Sequence, residues 1–308
     1  MNTILVVGVD TTVGANCAAR LAERQSVVGL SSHSGVQIDG CETHLFDLDN
    51  PADAEAWLSD ARPERVLYCG PESRSCWDPE TAASLNAGSA AAAGRWAAAT
   101  QVAAVPFTFI SSDAVFTGPW IFHDEDSLAV CRSPEATTIR NAEKLVRDAG
   151  GESLIIRTNA FGWAPTSEGG WIERLLGSIE DRRTLDCDCI RHATPILATD
   201  LAEIIDRAWQ EGLIGTYHIA GAERVSPMLF AQRLADQFDL PWLTLRREQT
   251  LVELPQGFGA GETSLQTKKI RKALCVAMPM LSEGLKRLQA QRTGEQPTEA
   301  APLTARVA

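Results

Sequence analysis

The stretch Thr3-Ile4-Leu5-Val6-Val7-Gly8-Val9-Asp10-Thr11-Thr12-Val13-Gly14 opens with a strand-sized apolar run, ends that run on glycine, and leads into apolar residues at helical spacing over 13–24. Strand, tight turn and helix in that order begin a βαβ unit. Working outward, the same logic predicts strands at 27–30, 43–46, 65–69, 107–111 and 154–157, with helices at 51–59, 81–101 and 134–148 between them. Strands that alternate with helices form a parallel, doubly wound α/β sheet of the Rossmann type. The helix at 81–101 is so rich in Ala that close packing against a sheet is its expected role.

The second half is less regular. It predicts helices at 171–180, 200–211 (N-capped by Thr199 or Asp200), 226–238 and 282–288, and a strand at 216–219. The expected organisation is a first domain over 1–160, completed by parts of 190–221, and a smaller interleaved C-terminal lobe over 161–290. Residues 291–308 are poor in apolar side chains and read as a disordered tail.

A chain of 308 residues with 44% hydrophobic content can bury a sizeable core. Its apolar runs fall short of the roughly 20 residues that span a bilayer, and the N-terminus lacks a basic segment followed by an apolar one, so a cytoplasmic protein without membrane contact is expected. The net charge of -12 argues against nucleic acid as a partner. Eight cysteines spread through predicted elements read as reduced thiols. Cys187 and Cys189 form a C-x-C, but His192 alone does not complete a zinc set, so no metal is expected.

Between the first strand and helix, a Gly-x-x-Gly-x-x-Gly turn lets backbone N–H groups and the helix N-terminus cradle a pyrophosphate. Here Gly8 and Gly14 are the outer glycines and Thr11 holds the middle place. The Cβ of Thr11 limits the approach of a phosphate to the backbone, and the hydroxyls of Thr11 and Thr12 are candidate donors in exchange. The second strand ends in Leu30-Ser31-Ser32-His33-Ser34, with no Asp or Glu for the adenosine ribose hydroxyls. Hydroxyls and an imidazole without a carboxylate favour NADP over NAD, although the Arg usual for a 2′-phosphate is also missing. An exposed loop imidazole is the competing reading of His33.

From residue 3 to about residue 288 the chain resembles the dTDP-4-dehydrorhamnose reductases, a branch of the extended short-chain dehydrogenase/reductases. Phe46-Asp47-Leu48-Asp49 is similar to the family's Asp-Leu-Thr-Asp, and Ile110 to Gly118 (ISSDAVFTG) is similar to its Ile-Ser-Thr-Asp-Tyr-Val-Phe-Asp-Gly. Arg157-Thr158, Thr194-Pro195, Asp200-Leu201-Ala202, Gly215 to Gly221 and Thr263 to Thr267 continue the match in order. The resemblance implies an NAD(P)-dependent reductase of nucleotide-linked 4-keto-6-deoxy sugars, with Ser112 polarising the carbonyl. It implies cofactor contacts from Gly8, Asp10, Thr11, Thr12, Val13, Gly14, Ser31, Ser32, His33, Asp47, Leu48, Cys69, Gly70, Pro71 and Ser111. Sugar contacts are implied from Asp113, Val115, Phe116, Asn159, Trp163, Trp171 and Arg191.

The family's acid is a Tyr four residues before a Lys, a spacing that stacks both on one helix face so that the ammonium lowers the phenol's pKa and holds the nicotinamide ribose. Matching Ala142-Glu143 to the family's Gly-Glu puts Glu135 at the Tyr position and Ile139 at the Lys position. No shift of register restores the pair, because the tyrosines are Tyr68 and Tyr217 and the first lysine is Lys144. Two functional readings follow: Glu135 as a substitute acid that keeps its proton beside apolar Ile139, or a binding protein that regulates or assembles with a partner, as a homodimer or with another chain. The regulatory subunit of methionine adenosyltransferase is built on a similar scaffold. A third, structural reading makes Glu135 a helix N-terminal carboxylate after Pro134.

Trp163 and Trp171 are equally well read as core aromatics, Arg191 as a surface ion pair rather than a diphosphate contact, and His123-Asp124-Glu125-Asp126 as a solvated loop.

Overall fold

The computed structural model describes residues 3–48, 50, 52–166, 169–247 and 258–294. In chain order the elements are β1 (Thr3–Val7), α1 (Thr12–Ala22), β2 (Ser26–Ser31), β3 (Cys41–Leu45), α2 (Asp53–Ala61), β4 (Arg65–Tyr68), α3 (Thr81–Ser84), α4 (Ala87–Val102), β5 (Phe107–Ser112), α5 (Pro134–Asp148) and β6 (Ser153–Thr158). They continue with β7 (Ala160–Phe161), α6 (Trp171–Glu180), β8 (Leu185–Cys187), β9 (Ile196–Leu197), α7 (Ala198–Gln210), β10 (Gly215–His218), α8 (Pro227–Gln237), β11 (Leu245–Arg247), α9 (Lys268–Leu274) and α10 (Leu281–Thr293). Seven strands form one parallel sheet in the order β10-β6-β5-β4-β1-β2-β3. The order reverses between β1 and β4, and in such sheets the crevice at that reversal, beyond the carboxyl ends of the strands, is where ligands bind.

Each face of the sheet carries its own apolar layer. Val13, Cys17 and Leu21 of α1 pack with Leu201, Ile204 and Ile205 of α7 on one face. Ala90, Ala93 and Trp96 of α4 pack with Ala142 and Val146 of α5 on the other. Beyond the sheet packing expected of it, α4 also closes on a helix: a Cβ on Gly94 would stand 2.9 Å from the Cβ of Leu145, so this small face admits α5 at close range. A third cluster joins Phe161, Ile172, Leu176, Phe230, Leu234 and Leu285, and so ties α6, α8 and α10 together beside the sheet.

Several expected elements are corrected. The helix expected over 81–101 is two helices, because Asn86 accepts from the N–H groups of Gly88 (2.8 Å) and Ser89 (3.1 Å) and starts α4 afresh. Helix α7 follows directly on β9 with Leu197 as its N-cap and no side-chain cap, while Asp200 is spent on an ion pair with Arg287 at 2.6 Å. Helix α10 runs on to Thr293, so residues 291–293 are helical and not part of a disordered tail, and the rest of that expected segment, 295–308, lies outside the described residues. The 123–126 segment is not merely solvated: His123 is buried and stacks on Phe116 at 4.7 Å, and a Glu125 carboxylate oxygen accepts the His218 backbone N–H at 3.0 Å. No helix among the described residues is long and apolar enough to cross a membrane.

Helix α5 is docked by a buried ion pair. The Glu143 carboxylate, 1% exposed, accepts from Arg157 Nε and Nη2, both at 2.8 Å, and from Ser111 Oγ at 2.7 Å. The Arg157 guanidinium also lies over the Phe116 ring at 5.0 Å and donates to the Glu125 carbonyl at 3.1 Å. Burial would push the Glu143 carboxyl up, but Arg157, Ser111 and Arg147 together hold it below its ordinary value. Its stabilising contribution is therefore present above the unfolded value near 4.3 and lost as pH falls through the folded one. Arg157→Met leaves the buried Glu143 with only Ser111 and the exposed Arg147, 3.4 Å away, and should cost about 3 kcal/mol in urea unfolding at neutral pH. The double variant Glu143→Leu/Arg157→Met should recover part of that loss; no recovery would show that the guanidinium acts mainly through Phe116 and Glu125.

Candidate functional site

At the sheet's reversal point lies a cleft of about 440 Å³. One wall is the turn after β1, with Asp10, Thr11, Thr12 and Val13, continued by His33 at the end of β2. The other walls come from the segment after β4 (Arg74, Ser75, Asp78, Glu80) and the loop before α6 (Thr166, Gly169, Gly170), followed by Trp171 and Arg174.

The turn is shaped by contacts that leave no room for side chains. Gly8 has φ +88°, and a Cβ there would sit 2.2 Å from the Cys69 carbonyl oxygen; one on Gly14 would sit 2.1 Å from the Gly8 carbonyl oxygen. Thr11, at the middle-glycine position, is 4% exposed. Its hydroxyl accepts the Gly14 N–H at 3.0 Å, as the N-cap of α1, and points its proton toward the carbonyls of Gly8 (2.9 Å) and Cys69 (3.2 Å). The Thr11 hydroxyl is thus committed inward and is not the ligand donor expected of it, which leaves Thr12 as the hydroxyl of the turn at the cleft.

The missing acid at the end of β2 is supplied from elsewhere. The Asp10 carboxylate accepts from Ser32 Oγ at 2.6 Å and stands 2.9 Å from His33 Nδ1, so a carboxylate is held at that strand end although none occurs in its sequence. Ser31 folds back on His33, its Oγ donating to the His33 carbonyl at 2.6 Å. Asp47 is exposed, and the Leu48 carbonyl accepts from Arg95 at 2.8 Å. Cys69 is buried, and Gly70-Pro71 starts a short 3-10 turn.

Beneath the cleft, buried polar groups converge at the ends of β5 and β6. Asp113 is fully buried; its Oδ2 accepts from Thr263 Oγ1 (2.7 Å) and Asn159 Nδ2 (3.1 Å), and its Oδ1 from Ser112 Oγ (3.3 Å) and the Cys76 thiol (3.6 Å). Ser75 reaches the same set by donating to Asn159 Oδ1 at 2.7 Å. Burial pushes the Asp113 carboxyl up to about 6, against the pull of these four donors. Ser112 is 1% exposed, and its Oγ also accepts the Ala114 N–H at 3.1 Å.

The expected residues therefore separate. Asp10, Thr11, Thr12, Val13, His33 and Trp171 line the cleft; Ser112, Asp113, Val115, Phe116, Asn159 and Glu135 do not. Glu135 is half-buried in the first turn of α5, and Ile139 is fully buried with Val115, Phe116 and Leu265. Trp163 is structural, its indole N–H donating to the Leu288 carbonyl at 3.0 Å. Trp171 packs on Phe230 with ring centroids 5.3 Å apart while lining the cleft. Arg191 Nε lies 2.6 Å from Asp188 Oδ2, an ion pair without the geometry of a good hydrogen bond, outside the cleft lining. Arg74 and Ser75, in a loop, and Arg174, on α6, were not expected, since isolated residues carry no spacing signature.

A parallel sheet with this strand order and a glycine turn at its reversal point defines a Rossmann-type α/β protein. Within that class, the chain belongs to the family described as the RmlD substrate binding domain, which matches residues 1–293. It is 24% identical over 297 residues to a probable low-salt glycan biosynthesis reductase, Agl14, of Haloferax volcanii, covering 92% of this chain and 96% of that one. Its fold is similar to dTDP-4-dehydrorhamnose reductase of Bacillus anthracis in complex with NADP, with TM-score 0.79, 18% identity, and 94% and 100% of the two chains covered. The Bordetella bronchiseptica enzyme WbmH in complex with NAD+ is also similar, with TM-score 0.77, 16% identity, and 94% and 98% covered.

The raised Asp113 value has a definite sign. A carboxyl whose folded value lies above its unfolded one favours folding when protonated, so its contribution is complete below about 3.9 and lost as pH rises through the folded value. Urea unfolding between about pH 4 and about pH 7.5 should carry a loss of stability that disappears in Asp113→Asn. A profile unchanged by that substitution would remove Asp113 as its cause.

Proposed function

We propose that this protein binds a nicotinamide dinucleotide, NAD(H) in preference to NADP(H), together with a nucleotide-linked 4-keto-6-deoxy sugar or a similar molecule, and does not reduce it by a Tyr–Lys route. The observation that carries this reading is Ile139. At the position aligned with the family's lysine, its side chain is 0% exposed and packed among Val115, Phe116 and Leu265. An ammonium placed there would lose its hydration among these apolar side chains. The helix that would present the phenol has Glu135 in its place.

Dinucleotide binding is supported by the glycine turn at the cleft and by the NADP and NAD+ in the similar structures. The preference for NAD(H) is supported by Asp10. A carboxylate held by Ser32 and His33 can accept from a ribose 2′-hydroxyl but repels a 2′-phosphate. The sugar class is supported by the family and by the reductase names of its relatives. A protein of this kind acts through what it binds, as a regulatory or scaffold subunit.

NADH and NADPH titrations should give NADH the lower Kd by about tenfold or more, roughly 1.4 kcal/mol. Asp10→Asn should shrink that ratio. With a dTDP-4-keto-6-deoxy sugar, cofactor oxidation should stay at background. Sustained turnover would refute the non-reducing reading, and its loss in Glu135→Gln would then assign the acid to Glu135.

A further inference from the structure

We infer that Arg74 is a pyrophosphate-binding residue of the cleft, its guanidinium supplying the dinucleotide with contacts that a turn bearing threonine in place of the middle glycine does not. This rests on the dinucleotide reading above. In the usual turn the middle glycine lets phosphate oxygens approach the backbone closely. Here that place carries a Cβ, and the Thr11 hydroxyl is used up in capping α1.

Arg74 lines the same cleft as Thr12 and the start of α1. Its Nε is buried with no hydrogen-bond acceptor, and among the described residues no carboxylate forms an ion pair with it. The other cleft arginine differs: Arg174 lies 2.9 Å from Asp78 and 3.3 Å from Glu80 and is neutralised by them. In a chain of net charge -12, an unpaired guanidinium beside a helix N-terminus is a local attraction for an anion. A buried N–H without an acceptor carries a desolvation cost that a phosphate oxygen would relieve, and the guanidinium fork suits two such oxygens.

The backbone on either side of Arg74 is fixed before any ligand arrives. Ser73 donates through its Oγ and N–H to the Gly70 carbonyl at 2.8 and 2.9 Å. Ser75 is anchored to Asn159 at 2.7 Å, and its carbonyl accepts from Thr81 at 2.7 Å. A preset arginine gives up less conformational freedom on binding than one on a loose loop. The dinucleotide, rather than the nucleotide sugar, is the assigned ligand because the cleft runs on from Thr12 to Asp10 and His33 at the end of β2, where the adenosine end of a dinucleotide lies in this fold.

The test compares adenosine, ADP, NADH and thymidine diphosphate binding to the full chain and to Arg74→Gln and Arg74→Lys. The inference predicts that Arg74→Gln weakens ADP and NADH by about tenfold or more and leaves adenosine unchanged, with Arg74→Lys intermediate. NADH binding as tight in Arg74→Gln as in the unaltered chain would overturn the inference and leave the dinucleotide reading intact. Weakening confined to thymidine diphosphate would overturn it in favour of a sugar-nucleotide contact. An unaltered chain that binds neither ADP nor NADH would instead overturn the dinucleotide reading, and this inference with it.

Discussion

A buried carboxylate on α5 and a guanidinium at the end of β6 set the geometry on which the rest of the site depends. Glu143 and Arg157 meet through two 2.8 Å contacts, and Ser111 of β5 joins them, so one helix and two strands are held in a single register. Such a pair adds little net stability over a well-packed apolar alternative, but breaking it on one side is costly, which makes it a strong constraint on how α5 can sit. The same helix carries Glu135 and Ile139 two turns and one turn before the anchor, respectively. In the register that the resemblance implies, the anchoring end keeps the family's Glu while Glu135 and Ile139 stand where its Tyr and Lys would be. On the proposed non-reducing reading, α5 serves as a structural wall.

The cleft distributes charge by a similar economy. Asp10 is engaged by Ser32 and His33, Arg174 by Asp78 and Glu80, and Thr11 by the backbone of its own turn. What the cleft offers a ligand includes the N-terminus of α1, the Thr12 hydroxyl, the ring of Trp171, the guanidinium of Arg74 and the acceptor capacity left on Asp10. That inventory suits an anionic, partly aromatic molecule held in place. Below it, the donors around Asp113 close on one another, so the network acts on the floor of the site through Ser75 and Asn159.

The sheet was legible because its central strands β1, β2, β4, β5 and β6 are short, largely apolar runs that alternate with helical spacing, and local pattern suffices for that. The break at Asn86 was less so: alanine-rich sequence reads as continuous helix, and the capping asparagine is a single residue inside it. The site was legible where it is contiguous, as in Gly8 to Gly14, and illegible where it is assembled. No spacing rule carries the Asp10 carboxylate to the end of β2, because that contact depends on the path of a turn. The same holds for His123, written in an acidic run and yet buried against Phe116. Arg74 has no sequence signal, since its significance lies in the absence of a partner among the described residues.

The central claim is that this fold holds a dinucleotide against α1 and offers the nicotinamide end no donor from α5. A crystal structure of the chain with NADH tests it most directly. The account predicts the pyrophosphate between the start of α1 and Arg74, the adenosine ribose hydroxyls at Asp10, and no polar side chain of α5 touching the nicotinamide ribose. A nicotinamide ribose hydrogen-bonded by Glu135, or a dinucleotide seated away from the Gly8 to Gly14 turn, would contradict it.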